Sequence, residues 1–272
     1  MCRAAPGARV MSLAGLERNA FVRDGYAVVR GVLPVDVVER VGSFLADGES
    51  TALAMIRDYA GLGAEADVRA ACDDIVRRDA ATVPKEIRDV AMGHFPLATR
   101  LSERLWDIAR VDALGALIRE CLADERVFMH VPPVSRYVVP ESRTAGVPAH
   151  QDRSYNGHLP SFITVWVPYV SIDERCGGVI VYEGGDRAMR ELTPPSGPWL
   201  GACSTEGLRA VQPALDPGDV LVLSDWIVHA SAPNRAEHTR ISTDFRFFAG
   251  GRSKKHALDL ATFTVIPPEA NG

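Results

Sequence analysis

A mainly β fold with helices packed on its outside is the architecture the sequence predicts. Up to about residue 125 apolar residues recur at three and four spacing, as an amphipathic helix requires. From Arg126 onward, short runs rich in Val, Ile, Phe and Tyr take over, bounded by Gly, Pro, Asn or Asp. With 272 residues and 47% hydrophobic content the chain can fill one core, since large β domains reach this size without splitting. A single domain over residues 1–272 is expected, helix-rich over 12–125, with its β core mainly over 126–250.

The helical half reads LAGLERNAFVRDG, then PVDVVERVGSFLADG, AEADVRAACDDIVRRDA and PLATRLSERLWDIARVDALGALIRECLADE. A short strand, YAVVRGVLP from Tyr26, interrupts it. The strands of the second half are VFMHV, SRYVV, FITVWVPYV, GVIVYEG, DVLVLSDWIVHA and RISTDFRFF, and no internal repeat or low-complexity tract is present. In FITVWVPYV, Thr164 and Trp166 share a face with Phe162, while Ile163, Val165 and Val167 point the other way. One face can line a cavity and the other pack under helices. Residues 184–217 are dense in Pro, Gly and Ser, and a long irregular loop in a compact β domain is usually a lid or binding element.

Composition excludes several classes. The net charge of -5 is mild and Lys and Arg are scattered, so no basic face for nucleic acid is expected. The five cysteines (Cys2, Cys72, Cys121, Cys176, Cys203) include no Cys-x-x-Cys pair, which points to reduced thiols and a cytoplasmic setting. No apolar run approaches membrane-spanning length. The opening MCRAAPGARV lacks a signal-like apolar stretch, and Met11 is a second candidate start. Oligomeric state leaves no mark on the sequence.

The chemistry is carried by His150-Gln151-Asp152, followed downstream by His229 and Arg240. On a strand, a His-x-Asp pair presents an imidazole and a carboxylate side by side, and a second His on a neighbouring strand completes a facial triad. Two neutral imidazoles and one carboxylate suit Fe(II) and leave half of the octahedron open. His150 alone among the seven histidines has a carboxylate two residues on. His94, His130, His158, His238 and His256 lack ligand spacing and are expected to be structural or solvent-facing. Arg240 and Ser242 share a strand face opposite Ile241, Thr243, Phe245 and Phe247, an arrangement that lets a guanidinium fork a carboxylate beside a hydroxyl. By itself an arginine at such a position is more often in a surface ion pair.

At these residues the chain resembles the phytanoyl-CoA dioxygenase family of Fe(II)- and 2-oxoglutarate-dependent oxygenases. The resemblance runs through FVRDGYAVVRGVLPVDVVERV, HQD at His150, WVPYVSIDERCGGVIVYEGGD and PGDVLVLSDWIVHASAPNRAEHTRIS. It implies a double-stranded β-helix, or jelly roll, of cupin-like type. It implies metal ligation by His150, Asp152 and His229, and 2-oxoglutarate held by Arg240 with Ser242, near Trp166. Thr164 and the hydroxyl of Tyr137 are further candidates to face the cosubstrate. Where family members often read Pro-Gly-Ser-His, this chain has Glu183-Gly184-Gly185-Asp186. That departure bears on the substrate side. Related halogenases carry a small residue at the carboxylate position, so Asp152 argues against halogenation.

The expected reaction consumes O2 and 2-oxoglutarate, releases succinate and CO2, and oxidises a small molecule, with hydroxylation as the default. Desaturation, cyclisation and epimerisation on the same cofactors remain open, as do a cupin-type metal enzyme without 2-oxoglutarate and a non-catalytic binding module. The Ala- and Arg-rich composition resembles that of high-GC bacteria and favours a secondary-metabolite intermediate, and no basic cluster suggests a coenzyme A phosphate site. Candidate substrate contacts are Arg153, Tyr155 and Asn156, which follow the ligand pair, Trp199 in the long loop with Leu200 beside it, and Arg246 on the Arg240 face. For Arg246 an ion pair with Asp244 or a surface acid is the competing assignment. The loop is expected to be mobile without ligand and to order with substrate.

Overall fold

Eleven strands and seven α-helices, with a further helical turn at residues 21–24 and two short 3-10 helices, lie within the described part of the computed structural model, which covers residues 21–184, 188–194, 201–250 and 253–268. The strands are β1 (Tyr26–Val29), β2 (Val127–His130), β3 (Val134–Val138), β4 (Phe162–Pro168), β5 (Val179–Glu183), β6 (Arg209–Val211), β7 (Val220–Ser224), β8 (Val228–Ser231), β9 (Arg240–Ala249), β10 (Ala257–Asp259) and β11 (Thr264–Ile266). An eight-stranded antiparallel sheet has the order β1-β7-β4-β9-β2-β10-β11, with β3 also on β9, and a three-stranded sheet has the order β6-β5-β8. The strand alternation read from the sequence holds in both long central strands. Ile163, Val165 and Val167 of β4, with Ile241, Phe245 and Phe247 of β9, join the main hydrophobic core. Trp166, Leu221 and Leu223 point the other way and pack with Val179, Val181 and Ile227 from the side of the small sheet.

The helices are α1 (Val35–Ala60), α2 (Arg69–Arg77), α3 (Lys85–Ala91), α4 (Leu97–Arg100), α5 (Glu103–Trp106), α6 (Asp112–Leu122) and α7 (Asp152–Tyr155). Val38, Val41, Leu45, Ala52 and Ile56 of α1 and Leu114, Leu117 and Ile118 of α6 form the stripe that covers the outer face of the large sheet. Helix α1 runs through Gly48, beyond the segment the sequence marks. A Cβ at Gly48 would lie 3.1 Å from Thr99 and 3.2 Å from Phe95, so the glycine permits close packing rather than ending the helix. The true stop is Gly61, left-handed at φ 66°, whose N–H bonds back to the last turn.

Three expectations change. The long periodic run from Pro96 is not continuous: Ser102 caps α5 by accepting from the Arg104 N–H, and Val111 is extended before α6. Helix α3, which the sequence reading passed over, begins after Pro84. The stretch 184–217 is partly ordered into sheet, since β6 pairs with β5 and Leu215 bridges Ile172. Backbone pairing holds β6, whose side chains are exposed or half-buried and left no hydrophobic signal, while Leu215 joins the smaller apolar cluster. Beyond residue 250, β10 and β11 extend the large sheet through β2.

Tyr137 corrects a further expectation. On β3, Val134 and Arg136 face the cavity between the sheets, while Ser135 and Tyr137 take the helix side. The Tyr137 hydroxyl donates to the Val90 carbonyl of α3 at 2.7 Å and burial pushes its pKa up. Next to it Gly93 (φ 82°) lets the turn after α3 touch β3, because a Cβ there would sit 2.5 Å from the Tyr137 carbonyl oxygen. Tyr137→Phe is expected to lower unfolding free energy by about 1 kcal/mol in a denaturant titration. Ligand binding in the cavity should be unchanged, because the hydroxyl faces away from it.

Candidate metal centre

His150, Asp152 and His229 come together, each offering a ligand atom within 4.8 Å of the others, and all three are buried. His150 and His229 are cross-strand partners: each backbone N–H donates to the other's carbonyl at 2.9 Å. Asp152 does not share a strand with His150 as the spacing suggested, because the chain turns there and Asp152 opens α7. The carboxylate still lies beside the first imidazole, with Oδ1 3.8 Å from His150 Nε2.

Hydrogen bonds set the imidazoles for ligation. His150 Nδ1 lies 2.8 Å from the Pro148 carbonyl and His229 Nδ1 lies 3.0 Å from the Ile227 carbonyl. A carbonyl only accepts, so each Nδ1 carries the proton and each Nε2 presents a lone pair. Burial, with the neighbouring imidazole, pushes His150 down to about 3, so that ring is neutral near pH 7. Burial alone would raise Asp152, but the Arg246 guanidinium, by its charge and its hydrogen bond, outweighs it and holds the carboxyl well below its usual range. Arg246 Nη2 donates to Asp152 Oδ1 at 2.8 Å and the Thr164 hydroxyl donates to Oδ2. The donor set, two imidazole Nε2 atoms and one carboxylate, fits Fe(II).

The three residues line a cavity of about 200 Å³ between the sheets. Arg240 and Ser242 line it as well, on the β9 face that the alternation assigned to them, and both are buried. Arg240 Nη1 donates to the carbonyls of Gly177, Gly178 and Ala232 at 3.1–3.3 Å. That cradle needs glycine at 177: its φ is 61° and a Cβ would fall 2.1 Å from the Pro233 carbonyl oxygen. Burial lowers Arg240 to about 10, which leaves it charged at neutral pH. Trp166 lines the same cavity.

The proposed substrate contacts divide. Tyr155 and Asn156 line the cavity, with the Tyr155 ring edge-on to His150 at 5.2 Å and the Asn156 amide donating to the Asp152 carbonyl. Arg153 is turned away: it pairs with Asp225 and donates to the Leu159 and Pro160 carbonyls. Its charge is consumed by a buried acid that the sequence separates from it by more than 70 residues. Arg246 lines the cavity, but its partner is the candidate ligand Asp152 and not a surface acid. Trp199 and Leu200, like Gly185 and Asp186 of the turn after β5, lie outside the described residues. Glu183 of that turn accepts hydrogen bonds from Tyr26 and Arg209.

Three cavity residues escaped the sequence reading. His94, expected to be structural or solvent-facing, lines the cavity beside Arg136, whose Nη1 lies 3.3 Å from His94 Nε2. Burial, then Arg136, holds His94 well below its ordinary value. Asp244, on the Arg240 face of β9, completes the set, and burial raises its carboxyl. Period-two spacing from Arg240 marks Asp244. Nothing local marks His94, which the Gly93 turn delivers from the helical half.

The sequence profile of the phytanoyl-CoA dioxygenase (PhyH) family matches residues 21–242. No protein of curated function matches the chain by sequence. Among solved structures, the epimerase SnoN, in complex with Fe3+, alpha ketoglutarate and nogalamycin RO, is similar with a TM-score of 0.57 and 19% identity, covering 86% of this chain and 82% of that one. The apo non-heme monooxygenase ThoJ is similar with a TM-score of 0.56 and 16% identity, covering 89% of this chain and 82% of that one. The non-heme alpha ketoglutarate dependent carbocyclase SnoK from nogalamycin biosynthesis matches with a TM-score of 0.55 and 13% identity over 98% of both chains. At these identities the likeness establishes the fold, a jelly roll with flanking helices. The profile match does more: the chain belongs to the phytanoyl-CoA dioxygenase family of Fe(II)- and 2-oxoglutarate-dependent oxygenases.

Proposed function

We propose that this enzyme hydroxylates a small-molecule intermediate of secondary metabolism, with His150, Asp152 and His229 as the iron ligands. The observation that carries the assignment is the hydrogen-bond pattern that leaves both Nε2 atoms bare beside an ionised Asp152. When bound together, Fe(II), 2-oxoglutarate and O2 supply oxidative decarboxylation to succinate and CO2 and the oxidant for a C–H bond. Arg246 and Thr164 orient Asp152, one on each carboxylate oxygen. Arg240 and Ser242 receive the distal carboxylate of 2-oxoglutarate, and Trp166 walls that end of the cavity. Tyr155 and Asn156 face the substrate, whose size the cavity of about 200 Å³ limits.

A second outcome on the same cofactors has specific support, because two of the structural relatives are an epimerase and a carbocyclase. Isotopically labelled O2 separates the readings. Hydroxylation places one labelled atom in the product, whereas epimerisation or ring closure leaves the product unlabelled. A cupin-type enzyme without the cosubstrate would consume O2 with no dependence on 2-oxoglutarate. A purely binding function predicts no succinate from any substrate.

Replacement of His150, Asp152 or His229 by Ala is expected to abolish succinate release and to weaken Fe(II) binding on the order of 100-fold, measured by anaerobic titration. Wild-type turnover in any one of them removes that residue from the ligand set. Arg240→Ala should raise the KM for 2-oxoglutarate by about 30-fold or more, equivalent to ~2 kcal/mol, with iron binding retained. Arg240→Lys should recover only part of this, since an ammonium does not reproduce the fork. Thr164→Val should weaken metal binding about 10-fold by freeing one carboxylate oxygen, and an unchanged affinity would show that Arg246 alone orients Asp152.

A further inference from the structure

Gln151 lies between the two ligands of the His-x-Asp pair, is fully buried, and faces neither the metal position nor the cavity. Its carboxamide is committed in three directions. Nε2 donates to the Trp226 carbonyl at 2.7 Å, in the turn that leads to His229, and to the Ala188 carbonyl at 2.9 Å. Oε1 accepts from the Arg190 backbone N–H at 2.9 Å. Both amide protons are therefore used, one on the second ligand segment and one on the long loop. The far side of the loop reaches the same place: the Cys203 N–H donates to the Ala149 carbonyl at 2.7 Å, and Leu192 bridges Cys203. The segment before His150 is thus bound on one edge by β8, through His229 and Ser231, and on the other by the loop.

Undocking residues 188–190 would remove two of the three hydrogen bonds of the Gln151 carboxamide. A shift of Gln151 to follow them would move His150 on one side and Asp152 on the other, because the three are consecutive. We infer that Gln151 is a positioning residue that couples docking of residues 188–192 to occupancy of the metal site. The inference rests on the proposed ligand set. It predicts that ligand geometry set by a bound metal favours the docked loop, and, by thermodynamic linkage, that a docked loop favours the metal by the same factor.

The experiment uses the full chain with Ni(II) and 2-oxoglutarate as a redox-inert probe. Binding is followed by calorimetry, and trypsin cleavage after Arg187 and Arg190 reports the loop. In the wild type, Ni(II) with 2-oxoglutarate should slow that cleavage about 10-fold, within the usual range of coupling between sites. Gln151→Met conserves volume and removes all three hydrogen bonds. Protection should then fall below about twofold, and Ni(II) affinity should fall by the factor of protection lost. Gln151→Glu keeps the acceptor for Arg190 but sets a second acceptor against the Ala188 and Trp226 carbonyls, and should lose protection as fully as Gln151→Met; it carries the test where Gln151→Met does not fold. A residue that merely stabilised the fold would speed cleavage equally with and without Ni(II), leaving the ratio at the wild-type value. That result in the variants overturns the inference, as does a wild type that binds Ni(II) without protection. A wild type that binds no Ni(II) overturns the ligand set as well, and calorimetry distinguishes the two failures.

Discussion

The site depends on a single strand having two incompatible faces. Over the ten residues of β9, Arg240, Ser242, Asp244 and Arg246 alternate with Ile241, Thr243, Phe245 and Phe247. The apolar face is buried under the helices, so the register of β9 against β4 and β3 is fixed, because a one-residue slip would drive two arginines into the hydrophobic core. Once that register holds, the polar face has only the inter-sheet space to occupy. The cavity exists because these side chains must be accommodated away from oil and near partners that satisfy them.

Its electrostatics follow from the same crowding. Arg246 meets Asp152, and Arg136 is held by the Met92 and Ala145 carbonyls and by His94. Arg240 spends one nitrogen on three carbonyls and remains a buried cation with no acidic partner among the described residues. A guanidinium buried without an ion pair is costly, and in the proposed function the anion bound at that end of the cavity offsets the cost. At the other end, Arg246 and Thr164 use one lone pair on each oxygen of Asp152, which fixes the plane of the carboxylate before any ion arrives. In the proposed function the two ends divide the labour of metal orientation and carboxylate capture along one strand.

What the sequence made legible is what short-range periodicity can encode. The alternation in β4 and β9 is strict, and it placed Trp166, Arg240 and Ser242 on the cavity side correctly. In SRYVV every position is compatible with either face, and Tyr137 proved to be one residue out of phase with the cavity, where Arg136 stands. Arg153 failed for another reason: its neighbours in sequence point to the cavity, but a buried Asp225 outcompetes any ligand for its charge. His94 belongs to the helical half, and only the close approach of Gly93 to β3 brings it in. Long-range partners of this kind have no local signature.

The pairing of β1 with β7 has a bearing on how the chain reaches its fold. Tyr26 lies opposite Leu223 and Val29 opposite Val220, so one edge of the large sheet is built from segments near opposite ends of the chain. On a ribosome, β1 emerges early and its edge partner arrives only after most of the chain has been synthesised. Until then α1 has no completed sheet to cover, and its apolar stripe must be kept from other surfaces. Such a contact between segments far apart in sequence forms late, because the loop it closes must first lose its freedom.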